Sequence, residues 1–187
     1  MKRLACMLRG FRTLALFGGL VFPFTAAAQL TAYLKIDDIP GESQRDGHED
    51  EIDFVGLSWK IERAESDGTR ATARAKVGPI KVLKRIDKSS PYLALATLNG
   101  QSFPEMVITV RRDSGDAHLD YLIITMTNVR VTSYEMTTSE GTAQQASEPT
   151  EEVGFVFEEI RYKYTEMEED HSVGAEHEIE YDIAAGA

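Results

Sequence analysis

K-V-L-K-R-I-D-K-S-S-P-Y-L-A-L-A-T-L-N-G, residues 81–100, reads as a strand running into a helix. Ser90 is placed to cap the helix by accepting bonds from its orphan backbone N–H groups, and Pro91 follows at the first helical position, where a missing donor is harmless. Tyr92, Leu93, Ala94, Leu95, Ala96 and Leu98 leave almost no polar face, which predicts a helix buried on several sides. Asn99-Gly100 supplies the left-handed stop. A short apolar helix set among strands predicts a β fold with one helix packed on it, in an architectural rather than a catalytic role.

Outward from that stretch the sequence is strand-like. Leu30 to Ile39 alternates, with Leu30, Ala32, Leu34 and Ile36 opposite Thr31, Tyr33, Lys35 and Asp37, as a half-buried strand does. Pro40-Gly41 breaks it before a charged loop, and alternation returns from Ile52 to Glu62 with Val55, Leu57, Trp59 and Ile61 on the expected inner side. Asp67-Gly68 reads as a hairpin turn. Ala71, Ala73, Ala75 and Val77 then face away from Arg70, Thr72, Arg74 and Lys76, as if toward a crowded interior.

Beyond the helix, Met106 to Arg112 and Leu119 to Thr132 read as strands around a turn at Ser114-Gly115-Asp116. Tyr121 to Met126 is apolar on both faces, as in a central strand. Residues 135–150 read as a mobile loop. In the last strand Val153, Phe155 and Phe157 share one parity and Ile160, Tyr162 and Tyr164 the other, which predicts a bulge at Glu158-Glu159. Residues 166–187 are acidic and read as a disordered tail. The class predicted is mainly β: a small antiparallel β-barrel or sandwich with one flanking helix, over residues 29–165.

The 187 residues carry a formal net charge of −11. Lys2, Arg3, Arg9 and Arg12 lie in a basic, then apolar N-terminal segment that ends at Ala26-Ala27-Ala28, the pattern of a cleavable export signal over residues 1–28. From Gln29 onward 16 basic residues face 31 acidic ones, a net of −15. Such a surface repels phosphate backbones, so no nucleic-acid partner is expected. The apolar run is short and interrupted by Gly and Pro, so no stable membrane insertion is expected. Cys6, the one cysteine, lies in the same segment, which leaves the remainder without a thiol.

The strongest candidate for chemistry is the acidic loop with Glu42, Asp46, His48, Glu49, Asp50, Glu51 and Asp53. Its spacing does not match a calcium loop, which needs alternate oxygen donors, a central Gly and a distal Glu. The histidines His48, His118, His171 and His177 are scattered and form no zinc motif. There is neither a G-x-S-x-G elbow nor a phosphate-cradling glycine loop. No catalytic residue, cofactor or metal is expected.

Ordered segments of the chain resemble one family. Ala32-Tyr33-Leu34-Lys35-Ile36-Asp37, Ile39-Pro40-Gly41-Glu42-Ser43, His48-Glu49-Asp50-Glu51-Ile52 and Leu57-Ser58-Trp59 follow one another as in the haemolysin-coregulated (Hcp) proteins of type VI secretion. Leu83 to Leu93, with its K-x-x-D-x-x-S-P helix start, Asn99-Gly100, Val129 to Tyr134 and Glu152 to Tyr164 continue the likeness. The resemblance implies a compact β-barrel flanked by a helix and assembled into a homo-oligomer. Its hexameric rings would stack into a tube, carry small effector proteins in the lumen and meet spike and sheath components. It implies no catalysis. By the same analogy Gly41, Glu42, Ser43, Asp46, His48, Glu49, Asp50 and Asp53 belong to the loop that contacts the adjoining ring. The N-terminal segment supports a second reading, a secreted, periplasmic or extracellular binding module of the same fold outside such a machine.

Overall fold

The computed structural model describes residues 29–63, 75–114, 117–138, 148–168 and 172–186. The chain runs β1 (Gln29–Ile36), β2 (Ile52–Asp53), β3 (Gly56–Ser58), β4 (Ile61–Arg63), β5 (Ala75–Val77), β6 (Ile80–Arg85), α1 (Ser90–Asn99), β7 (Ser102–Ser114), β8 (Ala117–Thr137), β9 (Thr150–Val156), β10 (Glu159–Met167) and β11 (Val173–Asp182). Nine strands form one antiparallel sheet in the order β2-β1-β7-β8-β9-β6-β3, with β10 on β8 and β11 on β10; β4 and β5 pair separately. The mainly β, one-helix class is as expected, although the sheet surrounds its core without closing into a complete barrel.

The two arms meet along β8. Its first half carries β10, from Leu122↔Tyr164 to Thr127↔Glu159, and its second half carries β9, from Arg130↔Val156 onward. Between them the inward parity switches on three adjacent strands at once. The buried residues are Phe103 then Met106 on β7, Met126 then Val129 on β8, and Phe157 then Ile160 across the break from β9 to β10. The β7–β8 register is unchanged across this line, and so is the pairing from Val156↔Arg130 to Glu159↔Thr127. The parity slip read at Glu158-Glu159 is therefore a crease running across the sheet, not a bulge in one strand. Asn128 takes the left-handed conformation there, at φ 49°, as short polar side chains tolerate. Its Nδ2 donates to Glu158 Oε2 at 2.8 Å. The crease turns both arms onto one core that includes Leu34, Ile36, Ile108, Met126, Val153 and Phe155.

Several expectations need correction. The helix begins one residue after Ser89, which sits at its N-cap without a side-chain cap bond, while Ser90 occupies the first helical position and Pro91 follows within the first turn. Gly100 closes the helix at φ 67°, its N–H bonded to the Ala96 carbonyl. Only Leu93 and Ala96 of its apolar residues are buried; Tyr92, Leu95 and Leu98 face outward. Between Ile52 and Glu62 the inner face is set by Ile52 and Phe54, and Val55, Leu57 and Ile61 are exposed, because the segment breaks into β2, β3 and β4 with different partners. Residues 166–187 are not a disordered tail over their described part: β10 runs to Met167 and β11 adds an antiparallel strand to it. The stretch expected to be loop from Glu135 to Thr150 is strand at both ends, since β8 continues to Thr137 and β9 begins at Thr150. The N-terminal segment 1–28, the Asp67-Gly68 turn, Arg70 to Arg74 and residues 139–147 lie outside the described residues.

Candidate functional site

Residues 37–51, which join β1 to β2, fold into a compact structure of their own. Gly41 N–H donates to the Asp50 carbonyl at 2.7 Å, Ser43 N–H to Glu51 at 3.0 Å, and Asp50 N–H back to Ser43 at 2.9 Å. The two limbs of the loop are thus zipped together. A side chain at Gly41 could not be accommodated, because a Cβ there would lie 2.1 Å from the Glu51 carbonyl oxygen. Asp38, Gly47 and Asp50 make the turns with φ of 68°, 82° and 59°, the left-handed region that Gly and Asp enter at least cost.

The folded loop is then pinned to β1, β7 and β8. The His48 ring stacks on Tyr33 with centroids 4.0 Å apart and planes at 8°. His48 Nδ1 lies 2.8 Å from Glu51 Oε2 and Nε2 lies 3.3 Å from Asp120 Oδ1. Arg111 grips Asp120 with Nε at 2.6 Å and Nη2 at 3.1 Å, and donates through Nη1 to the Asp46 carbonyl at 2.9 Å. Arg45 reaches the Tyr33 hydroxyl at 3.3 Å and Asp113 at 2.9 Å. Burial acts to raise the pKa of the Asp120 carboxyl, but the hydrogen bond and charge of Arg111, helped by His48, hold it below the ordinary carboxylate range. The bond to Asp120 raises the pKa of Arg111 in turn. Asp53 shifts the other way: burial pushes its carboxyl up against a hydrogen bond from Ser43.

On its other flank the loop is held by Lys88, whose N–H donates to Glu42 Oε1 at 3.0 Å and whose Nζ pairs with Asp50 at 2.8 Å. The turn carrying Lys88 rests on a charge cluster that the sequence reading missed. Lys84 and Glu151 are both fully buried, and Lys84 Nζ donates to Glu151 Oε1 at 2.7 Å, Asp87 Oδ1 at 2.9 Å and the Arg85 carbonyl at 2.8 Å. Ser90 accepts from the Asp87 N–H at 3.0 Å and donates to Glu151 Oε1 at 2.9 Å. The Ser90 hydroxyl, expected to cap the helix, instead ties the turn to β9. Tyr134 donates to Glu151 Oε2 at 2.5 Å. Burial, then that hydrogen bond and the Glu151 charge, push its phenol pKa up to about 12. The missed signal was parity: Lys84 shares the inward face of Ile80 and Val82, and Glu151 that of Val153 and Phe155.

Of the loop residues singled out in the sequence, Gly41, Ser43 and His48 are buried and build the loop. Glu42, Asp46, Glu49 and Asp50 lie on its outer surface, and Asp53 follows it as an exposed residue of β2, in register with Tyr33. Both nitrogens of His48 are engaged by carboxylates and its ring is covered, so it is built as a clamp and not as a general base. Among the described residues no group of three or more His, Cys, Asp and Glu side chains could hold a metal ion. No helix among them is long and apolar enough to cross a membrane. The arrangement yields a rigid platform that displays carboxylates.

Comparison with known proteins agrees with the fold. The profile of the family "Type VI secretion system effector, Hcp" matches residues 33–164. Protein hcp1 of Pseudomonas aeruginosa is 31% identical over 141 residues, covering 74% of this chain and 85% of that protein. The solved structure of a type six secretion system protein superposes with a TM-score of 0.75 at 25% identity, covering 85% of this chain and 99% of the other. Hcp1 from Salmonella typhimurium gives 0.66 at 24% identity, with 83% and 96% covered, a likeness of fold.

Proposed function

Since the chain belongs to the type VI secretion system effector Hcp family, we propose that it is a non-catalytic subunit that self-assembles into hexameric rings. The rings stack into a secreted tube whose lumen has room for small effector proteins, and the outer surface of the loop makes the contact between rings. The observation that carries this reading is the loop itself. It is zipped by its own backbone bonds and clamped on both flanks, at His48 and at Lys88. A loop fixed before contact gives up little conformational entropy when a partner covers it. Its outward carboxylates, Asp46 and Glu49 at the front, require a facing surface that is polar or basic.

Electron microscopy and native mass spectrometry of the chain from Gln29 test the proposal. Six-fold rings are expected, with stacks of rings at high concentration. Reversing charge with Asp46→Lys and Glu49→Lys should abolish stacking and leave single rings intact. A chain that stays monomeric at every concentration would overturn the assembly reading. Stacks that survive the charge reversal would remove the loop from it.

A further inference from the structure

His48 stands between two carboxylates, and that decides which of its protonation states the loop can use. The residue is 5% exposed, with its ring flat against Tyr33. Nδ1 lies 2.8 Å from Glu51 Oε2, and Nε2 lies 3.3 Å from Asp120 Oδ1. A carboxylate only accepts, whereas a neutral imidazole donates from one nitrogen and carries a lone pair on the other. Either neutral tautomer therefore points that lone pair at a carboxylate oxygen. The imidazolium alone donates at both ends, and 2.8 Å is the length of a charge-assisted bond.

The surroundings supply the counter-charge. Besides Glu51, the loop brings Arg45; β1 brings the Tyr33 phenol, β2 Asp53, β7 Arg111, and β8 Asp120. Each guanidinium has a carboxylate of its own: Arg111 holds Asp120, and Arg45 holds Asp113, which also meets His118. Among the described residues neither Glu51 nor Asp53 pairs with a lysine or an arginine. Asp120 stays ionised, because Arg111 and His48 hold its carboxyl below the ordinary range. We propose that the clamp closes on the charged form of His48, which makes the loop a pH-sensitive element. While the imidazolium persists, both carboxylates receive a proton donor. Once base removes its proton, one of them faces a lone pair and the clamp loses a bond, so the loop loosens as pH rises. Histidine is the side chain whose charge ordinarily changes near neutrality. Asp46 and Glu49, held in place by the closed loop, then lose their fixed positions. The inference concerns the order of the loop within one chain and holds whether or not rings form.

Two measurements on the chain from Gln29 test this. With isotopically labelled histidine, nitrogen NMR should show both ring nitrogens of His48 protonated at about pH 6, and one of them losing its proton by about pH 9. His48→Gln, which lacks these signals, identifies them among the four histidines. Hydrogen exchange at the Gly41, Ser43 and Asp50 amides, corrected for the intrinsic rate at each pH, should accelerate about 10-fold over the same interval. In His48→Gln, whose amide does not titrate, that acceleration should vanish. A neutral His48 beside a protected loop at the lower pH overturns the inference. So does protection in the parent that is the same at both ends of the interval. An acceleration that persists in the Gln variant belongs to another group and overturns it equally. If the substitution leaves the loop open throughout, the nitrogen signals of the parent decide alone.

Discussion

Several strand pairs in this molecule place a cation directly opposite a carboxylate, and two of them differ most in where the pair sits. On β6 and β9, Lys84 is in register with Glu151, and both side chains are fully buried. On β10 and β11, Arg161 is in register with Glu180, and the side chains are 56% and 61% exposed. The cross-strand chemistry is the same and the energetic weight is not. A buried pair cannot lose one member cheaply, because the survivor stays desolvated and unmatched. An exposed pair exchanges its partner for water and contributes little. The first pair fixes the turn that holds the functional loop, and the second only fastens an added strand.

The largest effect should come from breaking the buried pair. Lys84→Met is expected to destabilise the fold by about 3–5 kcal/mol in urea denaturation, since Glu151 would be left in the core without its cation, with Ser90 and Tyr134 as its remaining donors. Lys84→Met combined with Glu151→Leu should recover most of that loss, because an apolar pair of similar volume carries no desolvation cost. A double variant no better than the single one would mean that Lys84 acts mainly through Asp87 and the Lys88 turn.

The clamp at Asp120 lies between these extremes, its side chain 30% exposed. Asp120→Asn removes a charge-assisted bond to Arg111, worth about 1.5 kcal/mol. Hydrogen exchange at the Ser43, His48 and Asp50 amides should then become about 10-fold faster at neutral pH. The pH dependence has a definite sign. The folded-state pKa of Asp120 is depressed by its partners. Its contribution is therefore present above the unfolded-state value and lost as pH falls through the folded one. Loop protection in the parent should converge on that of the Asn variant on acidification. Equal acid sensitivity in the two proteins would assign it to another carboxylate.

Much of this was legible in the residues, and the exceptions share a cause. The alternation of Leu34 and Ile36, the left-handed stop at Gly100 and the ordered motifs that mark the family all depend on local spacing, which the sequence displays. Which face of an alternating segment is covered depends on what lies across from it. Val55, Leu57 and Ile61 looked like an inner face and are outer, because two- and three-residue strands change partner between them. The helix looked enclosed because apolar residues surround it, but composition cannot say that its cover is supplied by only one side of this chain. Lys84 and Glu151 were visible as charges at inward parity, yet only the register that sets them opposite one another turns two anomalies into a pair.

The acidic end of the chain shows the same limit, and it carries the smallest predicted effect. Counting charges over residues 166–187 suggested a chain that cannot bury enough apolar surface to fold. β11 orders because it does not have to: β10 offers an unpaired edge and meets its acids with Arg161 and Lys163. If the backbone ladder does most of that work, Arg161→Ser should lower the midpoint of urea denaturation only slightly, far less than Lys84→Met does. The loss should fade further in high salt, as screening predicts for exposed pairs. Hydrogen exchange would still report β11 as paired, with its amides opening somewhat more often than in the parent. A loss comparable to that of Lys84→Met would mean that charge, not the ladder, holds the strand, and the contrast between the two pairs would collapse.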